Sequence, residues 1–346
     1  MCTGNTVMEN SKKAVTYCEA IRLAFEHLLH SDPRCFTIGQ GLWSPWYVGN
    51  SMRGLVEKFG KHRVIDTPVS ELATTGAAIG ASLNGYKPIL VHPRMDFMLL
   101  AADQIINQAA KWRHMLGGKT SPSLTIRGII NRGGEQGAQH SQALHSLFAH
   151  IPGLRVVMPA FPKDAHDLLI AAVQSPDPVL YIDDRWCYEY KEVVEPVSKV
   201  DLSLVKPIVR LRGTDITIAA AGFPVHQCLE AANIMQAHGV SCEVIDVRQI
   251  SPLDTSIILE SVSKTGRFLA VDGGWSSCGF AAEMLARVAE GLCPNTFLAR
   301  PSRLTIPFAP APSAGNLEKK YYLTAKSIVV RIEKLIREDR KREKID

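Results

Sequence analysis

Residues 66–85 read DTPVSELATTGAAIGASLNG, a stretch in which one carboxylate, Glu71, opens a run of small and apolar residues. The run has the composition of a buried helix, and the preceding HRVID (62–66) has that of a β-strand. The stretch therefore predicts a strand–turn–helix unit. An acidic residue in the first turn of a helix is stabilised by the helix dipole by about 0.3–1 kcal/mol. Glu71 alone thus has an ordinary structural interpretation.

The same alternation of short apolar strands and longer helical stretches continues along the whole chain. In the first half, strand-like runs rich in β-branched residues occupy 35–39, 62–66, 88–92, 123–128, 154–159 and 178–183. Stretches with the helical period occupy 8–32, 97–116 and 161–175. In the second half, strands at 214–222, 241–250 and 267–274 precede helices at 223–239, 254–266 and 280–291, and a charged helix covers about 322–340. This pattern predicts an α/β fold with two parallel-sheet domains.

A change of character separates the two halves. Residues 185–213 are mixed in charge and carry two prolines without helical period, which is typical of a linker. We therefore predict a first domain over 8–184, a linker over 185–213 and a second domain over 214–340. The chain of 346 residues is long enough for this division, because single cores stop growing near ~250 residues.

Composition argues against several classes of protein. The chain is 46% hydrophobic and 21% charged, with a net charge of +5, so neither disorder nor a nucleic-acid surface is expected. No apolar run reaches the roughly 18 residues of a membrane span, and the N-terminus has no apolar core of signal-peptide length. The eight cysteines form no CxxC pair and no zinc-like cluster with histidine. We expect reduced thiols, no metal ligands from this chain and a cytoplasmic location.

Three loops follow predicted strands and are candidates for the functional site, since ligands of open α/β sheets bind beyond the carboxyl ends of strands. They read QGLWSPWYVGN (40–50), TPVSE (67–71) and IINRGGEQGAQHSQ (129–142). Backbone N–H groups of the glycine-rich third loop are suited to binding an anion, and its His140 has either a structural or a catalytic role. P-loop, dinucleotide and GxSxG motifs are absent. The residues alone predict a two-domain α/β enzyme of unspecified chemistry.

Longer segments carry a family resemblance. RVIDTPVSELATTGAAIGASLNGYKPI (63–89), DQIINQAAKWRHMLGG (103–118), GAQHSQALHSLFAHIPGLRVVMP (137–159) and VSCEVIDVRQISPLDTSIILESVSKTGR (240–267) resemble the beta subunit of pyruvate dehydrogenase and related 2-oxo acid dehydrogenases. The resemblance runs from about residue 12 to 335. It implies a thiamin-diphosphate pyrimidine-binding domain, a transketolase C-terminal domain, and an enzyme that decarboxylates a 2-oxo acid and transfers the acyl or aldehyde unit.

The resemblance also implies roles for particular residues. Glu71 matches the glutamate whose carboxyl group hydrogen-bonds the cofactor's aminopyrimidine and promotes the proton transfer that activates it. Phe97 matches the aromatic residue that stacks on that ring. His140 matches the histidine that positions or protonates the substrate-derived intermediate.

Half of the cofactor site is missing from this chain. The family anchors the diphosphate through Mg²⁺ with a GDG motif, and the sequence contains no GDG. The resemblance therefore implies an alpha-type partner that holds Mg²⁺, an α₂β₂ heterotetramer that shares thiamin diphosphate between unlike subunits, and in some complexes a lipoyl acyltransferase. Some members also hold a structural K⁺ through backbone carbonyls, which leave no side-chain signature.

Several residues depart from the family pattern. Gln40 stands where the family usually has an acidic residue near the cofactor, and we expect it to contact the cofactor. His92, Arg94 and Arg132 add polar or basic groups to predicted cofactor and substrate loops and are candidate substrate-binding residues. Arginine suits bidentate binding of carboxylate or phosphate, but it also suits surface or interface salt bridges. A split transketolase or a stand-alone decarboxylase or carboligase with a polar or phosphorylated substrate remains an alternative. A non-catalytic scaffold is a further one, because Gln40 cannot act as a base.

Overall fold

The structure is a computed structural model that describes residues 14–44, 46–197 and 199–342. In chain order, the first half contains β1 (Val15–Thr16), α1 (Tyr17–Ser31), β2 (Cys35–Gln40), α2 (Leu55–Phe59), β3 (Val64–Thr67), α3 (Glu71–Leu83), β4 (Lys87–His92), α4 (Trp112–Met115), β5 (Thr125–Ile130), α5 (His145–Ala149), β6 (Arg155–Val157), α6 (Pro162–Gln174) and β7 (Val179–Asp184). Between β4 and α4 lie a 3₁₀ turn (Met95–Ala101) and a π-helix (Gln104–Ala109).

The second half continues with β8 (Lys191–Glu192), β9 (Ile208–Leu211), β10 (Ile216–Ala220), α7 (Pro224–Ala237), β11 (Cys242–Asp246), β12 (Gln249–Ser251), α8 (Ser256–Thr265), β13 (Phe268–Trp275), α9 (Phe280–Gly291), β14 (Ser302–Ile306), α10 (Gly315–Tyr321) and α11 (Ala325–Arg342). Among the described residues, no helix combines the length and apolar character needed to cross a membrane.

Two large sheets organise these elements. The first has the order β12-β6-β7-β5-β4-β2-β3 and is parallel except at β12, which runs antiparallel to β6. The second has the order β14-β13-β10-β11-β9 and is parallel except at β9. The prediction of an α/β fold with two essentially parallel sheets is confirmed, with an antiparallel strand at one edge of each.

The strand predicted over 241–250 is divided between the two sheets. Cys242–Asp246 pairs with β10 in the second sheet, whereas Gln249–Ser251 pairs with β6 at the edge of the first. Between the two parts, Arg248 has a φ of 59°, which turns the chain. One apolar cluster also spans both sheets, from Ile126 of β5 to Ala219 of β10. The domains are therefore packed together rather than merely connected.

Other boundaries differ from the predictions. The helix predicted from residue 8 begins at Tyr17, where Thr16 and Glu19 form a capping box; residues 8–13 lie outside the described residues. The segment predicted as a linker, 185–213, contains β8 and β9, and β9 pairs with β11 in the second sheet. Strand β14 was not predicted, because one of its five residues, Ile306, is buried and the segment lacks a continuous apolar run.

The helix predicted over 97–116 is broken into three pieces. Met95, Met98 and Ala101 are buried and spaced by three, which matches the three residues per turn of a 3₁₀ helix. Farther along, the N–H of Ala110 donates to the carbonyl of Ile105 at 3.1 Å, the spacing of a π-helix. The core contacts thus favour 3₁₀ and π-helical turns in this segment, and the 3.6-residue period used for the prediction does not distinguish such turns from an α-helix.

Helix α3 is less buried than its composition indicates. Its buried residues are Thr75, Ala78, Ile79 and Ser82. Leu72, next to Glu71, is 56% exposed, and the small residues Ala73, Gly76, Ala77 and Gly80 are also exposed. One face of α3 therefore consists of small apolar residues and is exposed to solvent in the single chain.

Candidate functional site

A cleft lies at the carboxyl ends of β2, β3 and β4, as expected for an open parallel sheet. It is partly open to solvent. Five of the predicted site residues line it: Gln40, Glu71, His92, Arg94 and Phe97. The other lining residues are Gly39, Tyr47, Thr67, Pro68, Ser70, Thr74, Val91 and Pro93.

Glu71 is the one acidic residue in the lining of this cleft. It is the first residue of α3, and Ser70 at the N-cap makes no side-chain capping bond. The hydroxyl of Thr75 donates to the Glu71 backbone carbonyl at 2.7 Å. Within the described part of the chain, no hydrogen-bond donor or cation contacts the half-buried Glu71 carboxylate. The helix dipole favours its charge, and its oxygens remain available to a ligand.

Phe97 and His140 lie beside each other at the edge of the cleft. Their ring centroids are 5.2 Å apart and the rings are nearly perpendicular, at 88°. The pairing is fixed by Asp96, whose Oδ1 accepts from the backbone N–H of Gln142 at 3.0 Å and from its side-chain amide at 2.9 Å. The turn that carries Phe97 and the loop that carries His140 are thus held together, although His140 itself is not part of the cleft lining.

Gln40 is held by an aromatic residue that the sequence did not single out. Its side-chain amide donates to the Tyr47 hydroxyl at 3.0 Å, and Arg185 donates to the Tyr47 backbone carbonyl. Asp66 fixes the turn after β2 by accepting the backbone N–H of Gly41 at 2.6 Å. Tyr47 belongs to the candidate loop 40–50, QGLWSPWYVGN, and the aromatic residues in that loop were the available signal for its position.

The two basic groups of the cleft differ in charge state. His92 is 3% exposed, and burial lowers its imidazole pKa to about 4, so the ring is neutral near pH 7. Its Nε2 lies 3.5 Å from the Thr75 hydroxyl. Arg94 is half-buried, and burial together with the nearby Arg185 lowers its pKa. Its Nε is buried without a hydrogen-bond partner among the described residues, so Arg94 is the cationic residue in the lining.

The structure does not bring Arg132 to the cleft. Its guanidinium pairs with the buried carboxylate of Asp184 and donates to the Gly273 carbonyl at 3.2 Å. It also lies over the Trp186 ring, 5.5 Å from the ring centroid. These contacts neutralise and bury the side chain between the two domains, which leaves it no free charge for a substrate in the cleft.

A buried ion pair near the cleft was also missed by the sequence reasoning. Arg127 donates to both carboxylate oxygens of Asp183, at 2.9 and 2.8 Å, and to the hydroxyls of Ser51 and Tyr188 at 2.7 and 3.0 Å. Both charged side chains are fully buried. An arginine within the apolar run SLTIRG was the available signal, since a buried charge requires a partner.

The residues present fit one end of the cofactor that the resemblance implies. An aromatic side chain, Phe97, and an unpartnered carboxyl group, Glu71, match a flat heteroaromatic ring that stacks and hydrogen-bonds. The diphosphate end is not matched, because the lining contains no lysine and a single arginine, Arg94. The described residues also contain no group of three or more His, Cys, Asp or Glu side chains placed to hold a metal ion.

Comparisons with known proteins agree with the resemblance. Residues 13–187 match the family model of the transketolase pyrimidine-binding domain, and residues 206–328 match that of the transketolase C-terminal domain. A solved structure described as a split gene transketolase, inactive beta4 tetramer, superimposes with a TM-score of 0.75 at 20% identity. The superposition covers 94% of this chain and 100% of the transketolase chain. At this identity the likeness is one of fold.

Two curated relatives are closer in sequence. The acetoin:2,6-dichlorophenolindophenol oxidoreductase subunit beta of Bacillus subtilis (strain 168) is 40% identical over 278 residues, 80% of this chain and 80% of that protein. The mitochondrial pyruvate dehydrogenase E1 component subunit beta of Bos taurus is 35% identical over 332 residues, 93% of this chain and 90% of that protein. Because that relative is mitochondrial, the cytoplasmic location of this chain stays a prediction. The chain belongs to the transketolase-like family that includes the beta subunits of these two enzymes.

Proposed function

We propose that this chain is the beta-type subunit of a heteromeric thiamin-diphosphate enzyme that decarboxylates a 2-oxo acid and transfers the acyl or aldehyde unit. The observation that carries the proposal is the cleft in which an unpartnered Glu71 carboxyl group and the Phe97 ring lie together. The cofactor, when bound, supplies the carbanion chemistry that the decarboxylation requires. Glu71 holds a proton at a ring nitrogen, Phe97 fixes the ring plane, and His140 orients or protonates the substrate.

The chain is proposed to act only with an alpha-type partner that contributes Mg²⁺ and the diphosphate site. The sequence has no GDG motif, and two elements that contribute to the cleft lining, α3 and the 3₁₀ turn, expose apolar residues. Helix α3 packs against the 3₁₀ turn, and these elements expose Leu72, Leu99 and Leu100 at 56, 43 and 60%. Neighbouring exposed apolar side chains are typical of a protein interface. An α₂β₂ assembly, a lipoyl acyltransferase acceptor and a structural K⁺ remain parts of the same proposal.

The test compares Glu71→Gln with Glu57→Gln in the complex assembled with the alpha partner. Glu57 is the matched control, because it also lies in the first turn of a helix and is exposed. Glu71→Gln should lower turnover by about 10²–10⁴-fold, the usual contribution of an acid–base group, whereas Glu57→Gln should retain it. Both should change stability by less than about 1 kcal/mol. An active Glu71→Gln enzyme would remove the proposed role.

A non-catalytic scaffold is the competing class of function, since Gln40 is neutral. Calorimetric titration of thiamin diphosphate into the assembled complex separates the two. Tight binding that weakens in Phe97→Ala supports the enzyme. No binding to the wild-type complex would favour the scaffold.

Arg94 favours a second substrate class within the enzyme proposal. It is the cation of the cleft, and its Nε has no partner among the described residues. A sugar-derived 2-oxo acid or ketose phosphate offers an anionic group that a guanidinium binds well. The assembled enzyme should then prefer such substrates over pyruvate, and Arg94→Met should reduce that preference. A strong preference of the wild-type enzyme for pyruvate would contradict substrate binding by Arg94 and would indicate that its role is structural.

A further inference from the structure

The loop that carries His140, residues 131–144, is held by the second domain; this segment is named the His140 loop below. At its start, Arg132 donates to the Gly273 carbonyl at 3.2 Å. In its middle, the backbone N–H of Glu135 donates to Oε2 of Glu318 at 3.0 Å. Directly after it, Nε2 of His145 lies 2.9 Å from a carboxylate oxygen of Asp272.

The middle of the loop has a backbone that needs external support. Gly133, Gly134, Glu135 and Gly137 have φ values of 76°, 69°, 60° and 73°. Glycine adopts this left-handed region without cost, but a glutamate there is strained and persists only where its surroundings enforce it. The Glu135 backbone N–H donates to the carboxylate of Glu318, which lies on α10 of the second domain.

Glu318 is placed to do this and has no other hydrogen-bonded role in the described structure. It is 7% exposed, and its Oε1 is buried without a partner among the described residues. Its Oε2 is the oxygen that accepts the Glu135 N–H. Because Glu318 is almost fully buried and belongs to α10, its Oε2 is a fixed acceptor, so this contact can hold the strained residue.

We propose that Glu318 is a positioning residue for His140: from the second domain it fixes the backbone of the loop that presents the imidazole beside Phe97. The catalytic consequence rests on the proposed role of His140, whereas the dependence of the loop on Glu318 does not. Without the acceptor, Glu135 relaxes toward ordinary backbone angles. His140, five residues farther along, then loses its fixed place against Phe97.

Amide hydrogen exchange of the full chain, alone and with the alpha partner, tests the structural part. Glu318→Ala and Glu318→Asp should each speed exchange in residues 131–144 by about tenfold, since alanine removes the acceptor and aspartate shortens its reach. Glu318→Gln keeps a carbonyl oxygen at the same position and should stay close to the wild type. Unchanged exchange in both Glu318→Ala and Glu318→Asp would overturn the proposal. The proposal would also be overturned if Glu318→Gln sped exchange as much as Glu318→Ala while Glu318→Asp did not. That result would show that the charge of residue 318, and not its hydrogen bond to Glu135, holds the loop.

Glu243→Ala is the matched control. Glu243 is also in the second domain, is 2% exposed and accepts a backbone N–H, that of Gly213 at 3.2 Å. It should leave exchange in the His140 loop unchanged. If Glu318→Ala fails to fold, exchange also rises in the core strand 125–130, and the comparison of Glu318→Asp with Glu318→Gln then decides.

Kinetics of the assembled enzyme test the functional part. Glu318→Ala and Glu318→Asp should lower kcat by about tenfold, with KM and the affinity for thiamin diphosphate changed by less than about twofold, and Glu318→Gln should restore kcat. An equal loss of kcat in Glu243→Ala would indicate a general effect of destabilisation and overturn the positioning role. If the wild-type complex has no activity on any 2-oxo acid, the proposed function fails, but the exchange experiment still decides whether Glu318 holds the loop.

Discussion

Acidification should destabilise this chain through His92, one of the residues that line the cleft. Burial lowers the pKa of its imidazole from 6.5 to about 4. The unfolded chain therefore binds the proton more tightly than the folded chain, and stability is fully present above pH 6.5 and falls as the pH decreases toward 4. The two pKa values give a loss of about 2 kcal/mol between pH 7 and pH 5, and about 3 kcal/mol once the pH is below 4.

The measurement compares urea unfolding of the wild type and His92→Gln at pH 7, 6 and 5, at one fixed chain concentration. Glutamine keeps a polar group near Thr75, which lies 3.5 Å from the imidazole, but it does not titrate. Other histidines contribute equally to both proteins, so the difference in unfolding free energy isolates His92. The advantage of the wild type, whatever its size at pH 7, should shrink by about 2 kcal/mol at pH 5. A difference that stays constant with pH would show that the imidazole titrates normally in the folded chain.

Two further substitutions test the architecture around the cleft. Arg127→Met removes the cationic partner of the fully buried Asp183 carboxylate, to which the Tyr188 hydroxyl still donates. It should cost about 3–5 kcal/mol in urea unfolding. Arg287→Met breaks an exposed pair with Glu283 and should cost less than about 1 kcal/mol; equal costs would contradict the burial of the Arg127–Asp183 pair. Gly39→Ala places a Cβ 2.3 Å from the Val91 carbonyl oxygen at the cleft and should lower the free energy of unfolding by about 1–3 kcal/mol. In the control Gly80→Ala, the new Cβ meets no atom within 4 Å, so this substitution in α3 should stabilise the chain slightly. An alanine tolerated at position 39 would show that β2 and β4 are farther apart.

The sequence was informative where a local pattern determines the structure. The apolar runs of the first sheet are buried on both faces, as in β5, whose six residues are all buried, so their composition alone predicted strands. The pattern was uninformative where long-range contacts decide. Nothing local to Gln249–Ser251 indicates that this strand joins the first sheet. The helix predicted over 97–116 is wound differently: its first part buries Met98 and Ala101, three residues apart, and farther along the Ala110 N–H donates to the carbonyl five residues earlier.

The candidate site shows the same division. Glu71, Phe97 and His140 could be named from motifs, because the family resemblance supplied them. Tyr47 lies in a loop without periodicity, and the contact between Glu135 and Glu318 joins residues 183 positions apart. Arg132 was expected at the substrate because arginine binds anions, but the partner that satisfies it, Asp184, is 52 positions away. Residue type predicts the chemistry of a side chain, whereas its partner depends on the completed fold.

The charge balance of the cleft connects the departure at Gln40 with the proposed substrate. The charged residues of the lining are Glu71 and Arg94, since His92 is neutral near pH 7. An acidic residue at position 40 would place a second carboxylate in the same small volume and would offset the guanidinium. Glutamine instead donates to Tyr47 and adds no charge. In the proposed complex the cofactor ring hydrogen-bonds the Glu71 carboxyl group, and Arg94 is the charged side chain of the lining that is left for a further ligand. An anionic substrate group would pair with this guanidinium throughout the reaction, whereas a substrate whose only anionic group is the reacting carboxylate loses that charge on decarboxylation.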